Sequence, residues 1–355
     1  MTTCKSAVRP ESLEAFLIEA IKTSGLAEED ARTTARVFAT NDTWGVFTHG
    51  SKQIRGLLKN YRDGRMSLAN KPVVVRDAAG SALIDAQQTM PAVVSVQAME
   101  MAISKAKKNG VAFVAVRSSG HYGGAGYYAN LAAERGMIGL SFTNVDPGVT
   151  VPGARIPLLG TNPIGYAIPT NNEPTIMMDI ATSVVAASKI YALRELGKQI
   201  PEGWIIDKDG LPTTNPEGYP AVGALLPMAG HKGYGISLLI EVLTGVIAGG
   251  AFGPQVVSWV LEDSTPVNQS HSFLVIDISH YIDLEEFKNR MDELVRFIRN
   301  APRAQGAERI LLPGELEWNH RAEALKDGMI LPDHVMVRLE GLAHDTGVVL
   351  DTIYQ

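Results

Sequence analysis

The sequence predicts an α/β (α+β) chain in which a mixed-sheet body stands between two helical ends. Three observations predict it. Through the first seventy residues the apolar positions recur at helical spacing. From Pro72 onward, short β-branched runs alternate with longer amphipathic segments. After Asp333 the helical rhythm returns, so 1–71, joined by about 316–355, is read as one discontinuous helical subdomain beside a body at 72–315.

Each element has a local reason. Leu13, Phe16, Leu17, Ala20 and Ile21 form one helical stripe, which Gly25 stops. The acidic turn Glu28–Asp30 suits the positive end of a second helix, and Ile54, Leu57, Leu58 and Tyr61 mark a third. Val73–Arg76 with Ala82–Ile84 reads as a hairpin, Pro91–Asn109 as a long helix and Val111–Val116 as a strand. A helix at Tyr127–Arg135 follows, then strands at Met137–Asn144, Pro163–Pro169 and Thr175–Ala181, and a helix at Val184–Glu195. Trp204–Asp207 and Phe273–Ile278 are strand-like, Ile236–Ala248 reads as a buried helix, and Asp283 caps an amphipathic helix reaching about Asn300. The Gly/Pro-rich stretch Asp146–Pro163 is the longest irregular segment, and long loops in compact domains more often carry function than not.

Composition narrows the function classes. Among 355 residues, 32 Lys+Arg face 38 Asp+Glu, and the resulting net charge of −6 argues against nucleic acid as a partner. The lone Cys4 excludes an intrachain disulfide and a cysteine-based zinc site, and points to a reducing, cytoplasmic setting. No apolar run reaches the roughly 20 residues of a membrane span, and Met1–Ser12 lacks the apolar core of a signal peptide. Neither G-x-x-x-x-G-K-[ST], H-E-x-x-H nor G-x-S-x-G occurs, and the eight histidines do not fall at metal-ligand spacings. Acid–base chemistry with an organic cofactor and no metal is what remains.

Three clusters could carry it. Thr48-His49-Gly50 offers an imidazole of near-neutral pKa with a hydroxyl to orient it. Arg117-Ser118-Ser119-Gly120-His121-Tyr122-Gly123-Gly124-Ala125-Gly126 follows a strand and holds four glycines in its last seven positions, which let backbone approach a ligand closely. Within it, Gly124–Ala129 fits the dinucleotide fingerprint G-x-G-x-x-A. Arg117 and His121 lie between strand and fingerprint, which leaves a pyrophosphate turn and a purely structural turn as alternatives. Gly230-His231-Lys232-Gly233 leads into an apolar helix, where a lysine and free N–H groups suit an anion. Asn144, Asn162, Asp179 and Glu315 are polar groups in apolar surroundings, each read at or within a strand.

Together with Leu159-Gly160-Thr161-Asn162-Pro163, Met178-Asp179-Ile180-Ala181-Thr182-Ser183, Ile200-Pro201-Glu202-Gly203-Trp204 and Leu312-Pro313-Gly314-Glu315, these clusters resemble the type 2 malate/L-lactate dehydrogenase family. The resemblance runs from about Leu13 to Glu315. It implies a non-Rossmann mixed-sheet domain binding NAD or NADP, hydride transfer at C2 of a small anionic 2-hydroxy or 2-oxo carboxylate, and a homodimer. It assigns proton transfer to His49 or His121, with Thr48 orienting His49 and Asp179 relaying charge. Cofactor contacts carry over to His121, Asn144, Val145, Asp179, Ile180, Ala181, His231, Lys232, Pro313, Gly314 and Glu315, which makes the fingerprint a structural turn. Substrate contacts are expected from Arg117, Thr161 and Asn162 and from the segment after His49.

Two positions depart from the family pattern. Gln53 stands where relatives commonly place an arginine that clasps the substrate carboxylate, with Lys52 and Arg55 as flanking substitutes. Ser188 stands where glycine is usual. Two alternatives follow: a reductase of cyclic imines such as piperideine-2-carboxylate, and a catalytically silent dinucleotide-binding relative. Binding of NADH without its oxidation by any 2-oxo acid would identify the silent form.

Overall fold

In a computed structural model, residues 7–260 and 264–354 are described; Cys4 lies outside them. The N-terminal helices are α1 (Pro10–Lys22), α2 (Glu28–Thr43) and α3 (Ile54–Arg62). The body follows with β1 (Val73–Ala78), β2 (Ser81–Asp85), α4 (Pro91–Asn109), β3 (Val111–Ser119), α5 (Ala125–Ala133), β4 (Met137–Thr143), β5 (Ile164–Ile168) and β6 (Ile176–Ile180). Then come α6 (Ala187–Glu195), the two-residue strands β7 (Ile205–Ile206), β8 (Pro212–Thr213) and β9 (Ala224–Leu225), and α7 (His231–Glu241). The chain ends with β10 (Gln269–Asp277), α8 (Leu284–Arg299), α9 (Glu315–Asp327) and α10 (Asp333–Thr346).

The main sheet has the order β1-β2-β3-β10-β4-β5-β6. Only β2 and β3 pair in parallel, and α4 is the crossover that such a pairing requires. Every other neighbour is antiparallel, so the sheet is mixed and lacks the all-parallel order of a Rossmann domain. β10, distant in sequence, sits between β3 and β4 and places His271 opposite both Val116 and Thr143. This register brings the C-terminal ends of β3, β4 and β6 and the N-terminal end of β10 to one edge.

α4 covers β3 and β10, and α5 covers β4 and β5. Gly165 permits the second contact, since a Cβ there would meet the backbone carbon of Ala125 at 2.5 Å. The two ends of the chain meet outside this layer: Val8 and Met329 exchange backbone hydrogen bonds of 2.8 Å, and α10 packs on α1 and α3. One apolar core runs from Leu13 and Phe38 through Val114 and Phe273 to Leu339. A smaller core of Val149, Ile190, Ile205, Tyr219 and Leu225 holds the three-stranded sheet β8-β7-β9 against α6.

Three expectations change. Glu315 does not follow or lie within a strand; it opens α9, a helix the sequence reading passed over because its leading face, Glu315–Glu317, is charged. β3 runs three residues beyond Val116, to Ser119, so only Gly120–Gly124 separate it from α5. The segment read as a buried helix, Ile236–Ala248, is α7 continued by a π-helical turn at Val242–Val246, and its apolar face is open in the single chain, with Leu239 55% and Ile247 56% exposed. Among the described residues no helix is long and apolar enough to cross a membrane.

Candidate active site

At the strand-end edge lies a cavity of about 490 Å³ whose lining includes Thr48, His49, His121, Thr161, Asp179 and Trp259, together with Lys52, Gln53, Val145, Ala181, Ser188 and Gln269. His49 enters on the 3-10 turn after α2, and His121 on the loop that leaves β3. Their ring centres are 5.6 Å apart, close enough for both to reach one substrate. Thr48 Oγ1 lies 3.0 Å from His49 Nδ1, which turns the opposite ring nitrogen of His49 free of that contact. His121 stacks on the Trp259 indole at 4.5 Å and 10°. Its Nε2 is buried with no partner, as is Gln269 Oε1 in the same wall.

Burial sets the protonation states. Desolvation, reinforced by the Lys52 charge, holds His49 at about 4. Desolvation, with His49 and His271 nearby, holds His121 well below the ordinary histidine value. Both imidazoles are therefore neutral near pH 7, the state that accepts a proton.

Beneath them, Asp42 at the end of α2 accepts the Ser51 N–H at 2.9 Å and ties down the His49 turn. A side chain at Gly50 would meet Asp42 Oδ1 at 1.8 Å, which explains the glycine after His49. Burial pushes this carboxyl up to about 7, against the Ser51 hydrogen bonds and the Lys52 charge. The Gln53 amide, in the cavity wall, donates to the Thr48 carbonyl and supports the same turn.

Asp179 explains the glycine-rich segment. Its Oδ2 accepts the Gly126 N–H at 2.8 Å, so a side-chain carboxylate already occupies the anion-attracting start of α5. Cβ atoms at Gly124 and Gly126 would approach Asp179 to 3.0 and 3.1 Å. The G-x-G-x-x-A match is thus a cradle for an aspartate, not for a pyrophosphate. Desolvation pushes the Asp179 carboxyl up to about 6, with Gly126 opposing and Glu317 reinforcing. Solvent in the open groove reaches this side chain and tempers the shift.

Asp179 and Val46 also line a second cavity of about 310 Å³ with Trp44, Ile180, Pro313 and Gly314. Gly314 starts α9 at φ +87°, and a Cβ there would meet Met177 O at 2.8 Å, so this loop lies tightly on β6. The two cavities share Val46 and Asp179 in their walls.

Other candidate residues fall elsewhere. Asn144 and Asn162 are fully buried, and both bind Glu241, at 3.5 and 2.6 Å, as anchors behind the cavity. Glu315 is engaged by Arg299 and Arg309 at 3.3 and 3.6 Å. His231 and Lys232 open α7, exposed and outside both cavities. Arg55 pairs with Asp345 at 2.9 Å and Arg117 with Asp85 at 2.9 Å, so neither lines the cavity that they were expected to serve. Trp259, Gln269 and Asp42 were missed by sequence reading. A lone tryptophan in the segment between α7 and β10 was the available signal for the first.

The model of the malate/L-lactate dehydrogenase family matches residues 8–340. This chain belongs to that family. It is 38% identical over 348 residues to the malate dehydrogenase of Pyrococcus horikoshii, covering 96% of each chain. The solved structure of that enzyme superposes with a TM-score of 0.88 over 97% of both chains. The sulfolactate dehydrogenase of Methanocaldococcus jannaschii gives 0.89 at 34% identity, covering 97% of this chain and 98% of that one. A Pseudomonas putida protein named Delta(1)-pyrroline-2-carboxylate/Delta(1)-piperideine-2-carboxylate reductase is 30% identical over 330 residues, covering 93% and 95%. The family dehydrogenase described here is accordingly an NAD(P)-dependent oxidoreductase acting on CH–OH.

Proposed function

We propose that this dehydrogenase interconverts small 2-hydroxy and 2-oxo carboxylates, with His121 as the proton-carrying residue. The observation that carries the reading is the buried, unpartnered His121 Nε2, held in the cavity wall by the Trp259 stack. A bound nicotinamide supplies or receives the hydride at C2. His121 takes the hydroxyl proton in oxidation and returns it in reduction, because an alkoxide left unpaired in this site would be costly. His49, backed by Thr48, orients the substrate oxygen from the other side, and Lys52 faces its carboxylate. Asp179 holds the start of α5 beside the two cavities, and Val145, Ile180, Ala181, Pro313 and Gly314 bind the cofactor from their walls.

The open α7 face supports a homodimer. Ile236, Leu239, Val242, Val246 and Ile247 are all exposed on one helical stretch, an apolar surface that a second copy of this chain would cover. We also keep 1–71 with about 316–355 as a helical subdomain and, from the single cysteine, a cytoplasmic setting.

The test is oxidation of NADH and of NADPH against 2-oxo acids and cyclic imines. Turnover of 2-oxo acids supports the reading; turnover of imines alone would move the activity to the reductase branch, and cofactor binding without turnover would make the chain a silent relative. The pH profile adds a second check. Since the imidazoles are neutral until pH falls toward about 4, they add no fall in kcat/KM for hydroxy-acid oxidation between pH 8 and about 5.5, and any change near pH 6–7 belongs to the Asp179 and Asp42 carboxyls. A decline centred near pH 6.5 that persists in Asp42→Asn and in Asp179→Asn would show that the active-site histidines titrate as solvent-exposed ones do.

A further inference from the structure

A further imidazole, which the proposed reaction leaves unused, is buried beside the His121 loop. His271 is 0% exposed on β10, opposite Val116 of β3 and Thr143 of β4. The β10–β3 pairing slips between Gln269 and His271, an irregularity of the kind that re-aims the side chains next to it. Two contacts fix the ring. Its Nδ1 lies 2.8 Å from Thr143 Oγ1, and its face stacks on the Tyr122 ring at 4.3 Å and 4°. Tyr122 and Thr143 both line the catalytic cavity. Nε2 is buried and makes no hydrogen bond of good geometry. Desolvation takes the His271 pKa down to about 3, and the Gly120 backbone acts against it, so the ring lies against the peptide that enters His121. His271 therefore meets the residues on both sides of His121. An apolar ring would fill this space without burying an unpaired nitrogen, a cost that space-filling alone does not explain.

We propose that His271 is a positioning residue, whose Nε2 fixes the Gly120 peptide and so sets the angle at which the His121 imidazole meets the substrate oxygen. The proposal rests on the reading of His121 as the proton carrier. The Tyr122 stack and the Thr143 contact hold the plane of the His271 ring, which keeps Nε2 turned to the loop. Because His271 stays neutral, it holds the loop without placing a charge beside a ring that must itself become charged on taking a proton.

The test compares His271→Gln with His271→Phe. Glutamine carries an amide close to where Nε2 stands but no ring, while phenylalanine keeps the ring and loses both nitrogens. Positioning through Nε2 predicts that His271→Gln keeps kcat within about threefold of wild type, whereas His271→Phe loses about tenfold or more in kcat, with KM and NADH affinity changed by less than about twofold. A ring that only fills space gives the opposite order. That order, equal losses in the two variants, or a loss confined to KM overturns the proposal. The second readout needs no substrate: the rate at which diethyl pyrocarbonate modifies His121, followed by peptide mass spectrometry. This rate should change by about threefold or more in His271→Phe and stay within about twofold of wild type in His271→Gln. If that pattern appears while no hydroxy acid turns over, the positioning stands and the reaction assigned to His121 alone fails; an unchanged rate in His271→Phe overturns the proposal. Circular dichroism controls for folding. If His271→Phe does not fold, Thr143→Val, which frees Nδ1 and leaves the imidazole present, takes its place with the same expected changes and the same overturning result.

Discussion

His121→Ala should lower kcat by about 10²–10⁴-fold, the range for removing a positioned general acid–base group, while leaving folding and NADH affinity close to wild type. The expectation follows from the Nε2 that is buried without a partner and from a ring fixed face to face with Trp259. His49→Ala should cost less, because the Nδ1 of His49 is already engaged by Thr48 and its role is to orient the substrate. The double variant should be no slower than His121→Ala by more than a small factor, since residues that serve one proton transfer are not additive. A larger loss for His49→Ala than for His121→Ala would exchange the two roles, and full activity in both would remove acid–base catalysis from this cavity. Steady-state kinetics with circular dichroism as the folding control decides among these outcomes.

Arg65→Met should be the most destabilising single change near the site. Arg65 is 0% exposed and donates to the carbonyls of Ser258, Thr265 and Trp259 at 2.6, 2.9 and 3.1 Å and to Asn60 Oδ1 at 3.1 Å. Removing the guanidinium leaves the buried Asn60 Oδ1 and the part-buried Ser258 and Trp259 carbonyls without this donor, at about 1–3 kcal/mol for a buried group left unpaired, so a loss of at least about 2 kcal/mol is expected in denaturant unfolding. Activity should fall with it even where the protein remains folded, because the same bonds hold the loop that lays Trp259 on His121. Asn60 assists by donating to the Trp259 carbonyl at 3.1 Å, and Gly56 leaves the indole its room, since a Cβ there would meet Cζ3 at 3.0 Å. A change under about 1 kcal/mol would show that water readily replaces Arg65 in this network.

Local patterns made much of this legible. The helical stripe at Leu13–Ile21, the Asp283 cap, whose side chain accepts from Glu285 and Glu286 N–H, and the β-branched run at Val111 are all set by neighbours in sequence. Pairing across the chain was not legible. Nothing near Phe273 says that its strand will separate β3 from β4, so His271 and Gln269, at the start of that strand, were passed over although Gln269 reaches the cavity. Trp259 is held against His121 with the help of Arg65, which grips its loop in a contact spanning almost 200 residues. Charged residues near the site misled for a related reason: Arg55 and Arg117 looked available, yet Asp345 and Asp85 had claimed them. The glycines of the fingerprint were correctly marked as a close approach, but what approaches is the Asp179 side chain.

Direct hydride exchange between a nicotinamide and C2 of a 2-oxo acid in the His49–His121 cavity can be followed by single-turnover reduction of a 2-oxo acid by NADH and NADPH deuterated at one C4 face, with the product analysed by NMR. The expected product carries deuterium at C2 of a single enantiomer from one of the two C4 faces, with no transfer in His121→Ala on the same time scale. Product carrying only solvent hydrogen at C2, or equal transfer in the wild type and the variant, would contradict it.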